Sequence, residues 1–363
     1  MKFNKNFGFG AMRLPMKDDE VDLNQMSKMI DVFMENGFNY FDTAHIYLKG
    51  KSETALRECL TKRYPRESYI LTEKISSPFF EKEEDIDGYF NLMLELCGVE
   101  YFDFLLLHAQ CKGNYDKYKS CRAYEKAIQY KEEGKVRHIG ISFHDSPEFL
   151  DKILTENPCV EIVQLQFNYI DIDNPSVESM GCYEVARKHN KPIIVMEPVK
   201  GGALANVPND AQEIFKRLGN MSPASYALRY AAGFEGIVMV LSGMSNMEQM
   251  LDNISFMKDF KPLNKDELEA IWKAKDIINE QTTIKCTSCR YCVDGCPKDI
   301  QIPNIFRAYN KAKRGENGKE KYLKAIEDHG KANDCIMCGK CEDACPQFID
   351  IRKFLKQAAE LFE

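Results

Sequence analysis

Eight short apolar runs recur along the first 260 or so residues, and a segment of helical periodicity follows each one. The runs lie at 7–10, 38–41, 69–72, 102–107, 136–141, 161–165, 192–196 and 236–241. The helical segments lie at 23–36, 52–62, 84–97, 121–133, 146–154, 176–190, 222–232 and 247–256. Ser52, Ser146-Pro147 and Ser222-Pro223 suit helix starts, and Gly37 and Gly134 suit helix stops. Strict strand-then-helix alternation with nearly continuous apolar strands implies a parallel sheet. Eight units of about 33 residues suit a closed (β/α)8 TIM barrel, an α/β fold. An open doubly wound sheet is the rival. It lacks its usual support, because Gly8-Phe9-Gly10 is not followed by a third glycine three residues on.

The last quarter of the chain is different. It holds eight of the fourteen cysteines, as Cys286-x2-Cys289-x2-Cys292-x3-Cys296-Pro297 and again as Cys335-x2-Cys338-x2-Cys341-x3-Cys345-Pro346. This is the bacterial ferredoxin spacing written twice. Two-residue gaps let three thiolates of one loop reach three corners of a cubane, and the fourth, ahead of proline, ligates the other cluster. Cys286, Cys289, Cys292 and Cys345 are thereby assigned to one 4Fe–4S cluster. Cys335, Cys338, Cys341 and Cys296 are assigned to the other. Zinc sites commonly separate two ligand pairs more widely. The other six cysteines, Cys59, Cys97, Cys111, Cys121, Cys159 and Cys182, are scattered and read as small buried residues. Residues 304–313 and 321–329 look helical, so the tail resembles the helical type of dicluster ferredoxin module, with 311–321 as an exposed loop.

The expected organisation is a barrel over 1–262, a connecting helix over 263–280 and a smaller, mainly helical ferredoxin-like iron–sulfur domain over 281–363. The formal net charge of −7 argues against a nucleic-acid partner. No apolar run approaches the ~18 residues that span a membrane. The start, Met1-Lys2-Phe3-Asn4-Lys5-Asn6, has no apolar stretch of the kind a secretory leader needs, so the cytoplasm is expected.

Four polar residues fall at or just past strand carboxyl ends, where such barrels keep their chemistry. They are Asp42, Tyr47, Lys74 and His108. Taken singly, each has a structural reading: Asp42-Thr43 as a helix cap, His108 as a satisfied histidine. Together they fit carbonyl reduction, which needs a hydride on carbon and a proton on oxygen. A tyrosine is a poor acid unless its phenolate is stabilised. A lysine cation beside it does that, and a carboxylate orients the lysine. A neutral histidine can donate a hydrogen bond to the carbonyl oxygen.

Phe41-Asp42-Thr43-Ala44-x-x-Tyr47, Lys74 and Leu105-Leu106-Leu107-His108 resemble the tetrad of the aldo/keto reductase superfamily. Gly8-Phe9-Gly10-Ala11-Met12-Arg13-Leu14-Pro15 and Gly134-Lys135-Val136-Arg137-x-Ile139-Gly140-x-Ser142 are also similar to that family. The likeness covers about residues 3–258. With the cysteine tail, the whole chain resembles the ferredoxin-containing aldo/keto reductases. The resemblance implies an extended nicotinamide dinucleotide, NADH or NADPH, at the barrel mouth. It places Ser142 and Gln164 on the carboxamide, with Asn168 nearby. Lys200 and Gly201 fall in the pyrophosphate loop, and Ser242, Gly243, Ser245, Gln249 and Asn253 fall in the segment that grips the adenosine end. NADPH-preferring members usually carry lysine at the Gly243 position and arginine at the Gln249 position. Both are missing, so at most a modest NADPH preference is expected.

Hydride transfer moves two electrons, whereas each cluster moves one. A flavin bridges the two modes, and a barrel phosphate site could take FMN. Three functions stay open. The first is a nicotinamide-dependent reductase of small aldehydes or ketones, with structural or redox-sensing clusters. The second is a flavin-linked reductase fed through the clusters by a ferredoxin or flavoprotein. The third is a non-catalytic electron carrier or sensor on a reductase barrel, against which the intact tetrad argues.

Overall fold

The computed structural model describes residues 3–363. Met1 and Lys2, which open the stretch read for a leader, lie outside the described residues. By internal packing the chain divides into two units. One holds residues up to Pro198 with Ala224–Asn264, and the other holds Val199–Pro223 with Lys265–Glu363. The helix expected as a connector, and a segment from the middle of the chain, therefore group with the cysteine-rich tail.

All eight expected strands form in the first unit. They are β1 (Phe7–Gly10), β2 (Tyr40–Asp42), β3 (Ile70–Ile75), β4 (Phe102–Gln110), β5 (Val136–Phe143), β6 (Ile162–Gln166), β7 (Ile193–Met196) and β8 (Ile237–Ser242). They pair in parallel in the order β1-β8-β7-β6-β5-β4-β3-β2, and β2 returns to β1 to close the barrel. Strands β3, β4 and β5 run past the ends of their apolar runs. Their added residues include Lys74, His108 and Ser142, polar side chains that the extension carries to the barrel mouth.

Helices alternate with the strands as α1 (Leu23–Glu35), α2 (Lys51–Leu56), α3 (Glu83–Cys97), α4 (Ala123–Glu132), α5 (Pro147–Glu156), α6 (Ser179–Lys188), α7 (Pro223–Ala232) and α8 (Met247–Met257). The Asp22 side chain caps α1 by accepting from the Gln25 N–H at 3.0 Å. Met26, Met29, Ile30 and Phe33 then form its buried stripe. Three features have no counterpart in the apolar pattern: a two-stranded turn pairing Met16–Lys17 with Glu20–Val21, and short helices at Tyr115–Ser120 and Asn209–Lys216. Among the described residues no helix is long and apolar enough to cross a membrane.

Tyr40, Phe104, Leu106, Ile162, Ile194 and Met239 form one buried cluster on the strands. Gly140 of β5 makes room for it. A Cβ there would stand 2.6 Å from a Leu106 methyl and 2.7 Å from the Ile162 carbonyl oxygen.

The second unit is mainly helical, with α9 (Lys265–Gln281), α10 (Ile302–Lys313), α11 (Gly318–Ala325) and α12 (Ile351–Phe362). Ile305, Phe306, Tyr309, Tyr322 and Leu355 centre its core. The exposed loop expected over 311–321 is not there. Helix α10 continues to Lys313, and α11 already starts at Gly318. A Cβ on Gly318 would lie 2.5 Å from the Ala308 carbonyl oxygen, so glycine here allows close helix contact. Asn317 caps α11 through the Glu320 N–H at 3.3 Å. The polar residues that suggested a loop belong largely to the ends of these two helices.

Gly140→Ala is expected to destabilise the barrel by about 1–3 kcal/mol through overpacking. The midpoint of urea unfolding should fall with its slope unchanged. An unmoved midpoint would contradict the packing described.

Candidate active site and cluster ligands

Strand direction sets the site. Asp42 ends β2, and Lys74 lies near the end of β3 with its side chain inside the barrel. The Lys74 amine, with no solvent exposure, donates to Asp42 Oδ1 at 2.6 Å and to the Thr43 carbonyl at 2.7 Å. Gln164 of β6 donates from Nε2 to the other Asp42 oxygen at 2.9 Å. Tyr47 sits in a tight turn in which Leu48 and Lys49 take positive φ, and its side chain is nearly buried. Lys74 Nζ stands 4.8 Å from the Tyr47 ring centre, and the His108 ring meets Tyr47 edge-on at 6.0 Å. The structure thus brings Asp42, Tyr47, Lys74 and His108 together.

His108 is buried near the end of β4. Its Nδ1 lies 2.6 Å from the Ser76 hydroxyl, and its carbonyl accepts from the Tyr118 hydroxyl at 2.7 Å. Burial first, then the Lys74 cation and His144, holds this imidazole well below its ordinary range. Burial also lowers His144 to about 4.

The expected dinucleotide residues fall into three groups. Ser142 and Gln164 lie on β5 and β6, Ser142 accepting the Ala109 N–H at 2.7 Å. Ala109 has positive φ, so the chain after His108 turns sharply. Asn168 is committed to its own turn. Its amide donates to Asp171 and the Glu197 carbonyl, and its oxygen accepts from the Ile170 and Asp171 N–H groups. That pattern makes Asn168 a turn former.

Ser242, Gly243, Ser245, Gln249 and Asn253 gather at the end of β8 and the start of α8. Asn253 donates to Ser242 at 2.9 Å, and Gln249 accepts the Ser245 N–H at 2.8 Å. Barrel closure adds a residue that the sequence reading missed. Arg13, in the loop after β1, accepts at its carbonyl from the Ser245 hydroxyl at 3.1 Å. Its stem runs beside Gly243, 3.4 Å from where a Cβ would stand. The sequence signal was present: in a closed barrel the first and last loops are neighbours.

Lys200 and Gly201 lie in the second unit, where their partners are cysteine-loop residues. The buried Lys200 amine is 3.4 Å from Gln347 Oε1. Gly201 has φ +63°, and a Cβ on it would fall 1.9 Å from the Thr287 carbonyl oxygen. No other residue fits there without displacing the Thr287 backbone.

Two cavities occupy the cysteine-rich part. Cys286, Cys289, Cys292 and Cys345 line one of about 310 Å³, part of it open to solvent, together with Thr287 and Gln347. Cys296, Cys335, Cys338 and Cys341 line the other, of about 330 Å³. Each run therefore contributes its fourth cysteine to the cavity lined by the other three of its partner run. Burial, then the nearby Cys289, Cys286 and Cys345 sulfurs, pushes the Cys292 thiol up. Four thiols gathered this way suit a cationic iron core that takes thiolate ligands. None of the fourteen cysteines forms a disulfide.

A closed (β/α)8 barrel with a lysine–aspartate–tyrosine–histidine mouth, on one chain with a module of paired four-cysteine cavities, defines a class of oxidoreductase. Residues 6–276 match the model of the aldo/keto reductase family and residues 275–349 that of the 4Fe-4S dicluster domain, so the chain belongs to the aldo/keto reductase family and carries a C-terminal iron–sulfur domain. A relative, the uncharacterized oxidoreductase YqkF of Bacillus subtilis (strain 168), is 24% identical over 296 residues, 73% of this chain and 90% of that protein. The holo form of aldo-keto reductase AKR11C1 from Bacillus halodurans superposes with a TM-score of 0.61 at 21% identity, covering 76% of this chain and 95% of that one. An aldo-keto reductase from Klebsiella pneumoniae in complex with NADPH gives 0.60 at 15% identity, covering 75% and 95%.

An unfolded imidazole takes up a proton near pH 6.5. The folded His108 does so only well below, so in that window the unfolded chain binds more protons and stability falls as the pH drops below about 6.5. Nitrogen NMR should show His108 neutral between pH 5 and 8. Protonation inside that range would contradict the buried geometry.

Proposed function

We propose that this protein reduces a small aldehyde or ketone at the barrel mouth, with a nicotinamide dinucleotide as hydride donor and Tyr47 as proton donor. The observation that carries the reading is the buried Lys74 amine, held by Asp42 and Thr43 and standing 4.8 Å from the Tyr47 ring. Asp42 fixes the amine in place, and the amine stabilises negative charge as Tyr47 gives its proton to the carbonyl oxygen. In the tautomer in which His108 Nδ1 accepts from Ser76, Nε2 keeps the ring hydrogen and donates a hydrogen bond to the same oxygen. The dinucleotide supplies the hydride when bound. Ser142 and Gln164 are the residues to hold its carboxamide, and the 242–253 segment its adenosine end. NADPH in the Klebsiella relative supports that cofactor class.

The two cysteine sets are suited to hold one 4Fe–4S cluster each. Such clusters carry single electrons, which fits exchange with a ferredoxin or flavoprotein partner. The holo-protein should contain about eight iron and eight sulfide per chain. Cys289→Ser should remove about half of each. Zinc in the cysteine cavities without labile sulfide would end this part of the reading.

Tyr47→Phe should slow carbonyl reduction by about 10²–10⁴-fold while leaving dinucleotide affinity nearly unchanged. Equal activity would show that another group is the acid. The Arg13 stem borders Gly243, so its guanidinium is the candidate to give a 2′-phosphate the cation that positions 243 and 249 lack. Arg13→Ala should therefore weaken NADPH about tenfold and NADH little, by direct titration at one ionic strength. Equal loss for both would assign Arg13 to packing. Binding of neither dinucleotide by the parent protein would favour the flavin-linked alternative.

A further inference from the structure

Side chains alternate along a strand, so Glu73 points away from the barrel interior that Lys74 enters. It meets Glu53 of α2 and Cys97, the last residue of α3. One donor atom from each of the three lies within 4.8 Å of the other two, and all three residues are fully buried. Glu53 Oε1 has no hydrogen-bond partner. The remaining contacts are local. Glu53 Oε2 lies 2.6 Å from His45 Nδ1, Glu73 Oε1 accepts the Lys74 N–H at 2.8 Å, and the Cys97 thiol donates to Glu73 Oε2 at 3.6 Å.

Two carboxyls and a thiol closed off from water need either protons or a cation. Two acids sharing a proton would approach to an O–H···O distance of about 2.5–3.0 Å. Glu53 and Glu73 make no hydrogen bond to one another. Donor atoms of the two carboxyls and the thiol lie within 4.8 Å of one another, and one ion with bonds of about 2.0–2.3 Å would draw them to about 3.3–3.8 Å. Burial, with mutual repulsion for Glu73 and Cys97, pushes all three groups up, the same demand for positive charge seen electrostatically.

We propose that Glu53, Glu73 and Cys97 bind one zinc ion in a buried site behind Lys74. A thiolate with two carboxylates suits a borderline-soft ion; magnesium and calcium take oxygen alone. Binding displaces the thiol proton, and any carboxyl proton, to solvent. His45 on Glu53 and the Lys74 N–H on Glu73 orient the ligands from outside. The ion would tie α2, β3 and α3 together where β3 presents Lys74.

The test uses the full chain, purified anaerobically with its clusters. Metal analysis should find one zinc per chain beside the cluster iron. Zinc-edge X-ray absorption should show one sulfur at about 2.3 Å among oxygen ligands. Zinc misplaced in the cysteine cavities would see sulfur throughout. Glu73→Gln and Cys97→Ser should each lose the zinc and keep the iron. Absence of zinc from the parent protein, zinc surrounded by sulfur alone, or full zinc in both variants would overturn the proposal. The parent spectrum decides the matter if the variants fail to fold.

Discussion

Lys74 places an amine where no water reaches it, and the barrel mouth is arranged around that amine. Asp42 Oδ1 and the Thr43 carbonyl hold it, and Gln164 from the far side of the barrel holds the second Asp42 oxygen. Breaking a buried pair of this kind by removing one partner typically costs about 3–5 kcal/mol, because the other charge is left uncompensated. Lys74 and Gln164 lie 32 and 122 positions from Asp42 along the chain. They meet only when β2, β3 and β6 are in register in a closed sheet. The fold and the chemistry therefore share one constraint.

Closure has a second consequence. It sets the loop after β1 against the loop after β8, so Arg13 lies beside Gly243 and Ser245. The space left by the missing side chain at Gly243 is bordered by the Arg13 stem. In the second unit the corresponding constraint is the exchange of cysteines between runs. Neither cysteine run encloses a cavity alone, so each cavity exists only when both loops have folded. Gly201 shows how tightly one of them is packed, since its close approach to the Thr287 backbone leaves room only for a hydrogen.

Much of this was legible in the sequence. The apolar runs mark the strands, and the polar residues at or past their ends are the four side chains that the barrel gathers at its mouth. The division of cysteines between cavities followed from spacing. Other features were not legible for identifiable reasons. The apolar pattern stops short of the ends of β3, β4 and β5 because polar residues such as Lys74, His108 and Ser142 interrupt it there. The glycines and charges of the 311–321 stretch resemble a loop, whereas Gly318 serves helix contact. Lys200 and Gly201 resemble a dinucleotide loop in sequence, and their packing on Gln347 and Thr287 is a long-range contact that no local pattern encodes. Glu53, Glu73 and Cys97 carry no motif, since they converge from a helix, a strand and a second helix. Asn168 also shapes a turn through Asp171, Ile170 and the Glu197 carbonyl, contacts that its neighbours in sequence do not announce.

In the proposed reaction the bound dinucleotide gives its hydride directly to a carbonyl carbon while Tyr47 supplies the proton. The most direct measurement follows the isotope. The full chain, with its clusters, is given reduced dinucleotide deuterated at the transferable position of the nicotinamide ring, and a simple aldehyde. Direct transfer predicts an alcohol carrying deuterium on its former carbonyl carbon and a solvent-derived hydrogen on oxygen. Product alcohol with only solvent hydrogen on that carbon would contradict the account, because the electrons would then have passed through an exchangeable carrier.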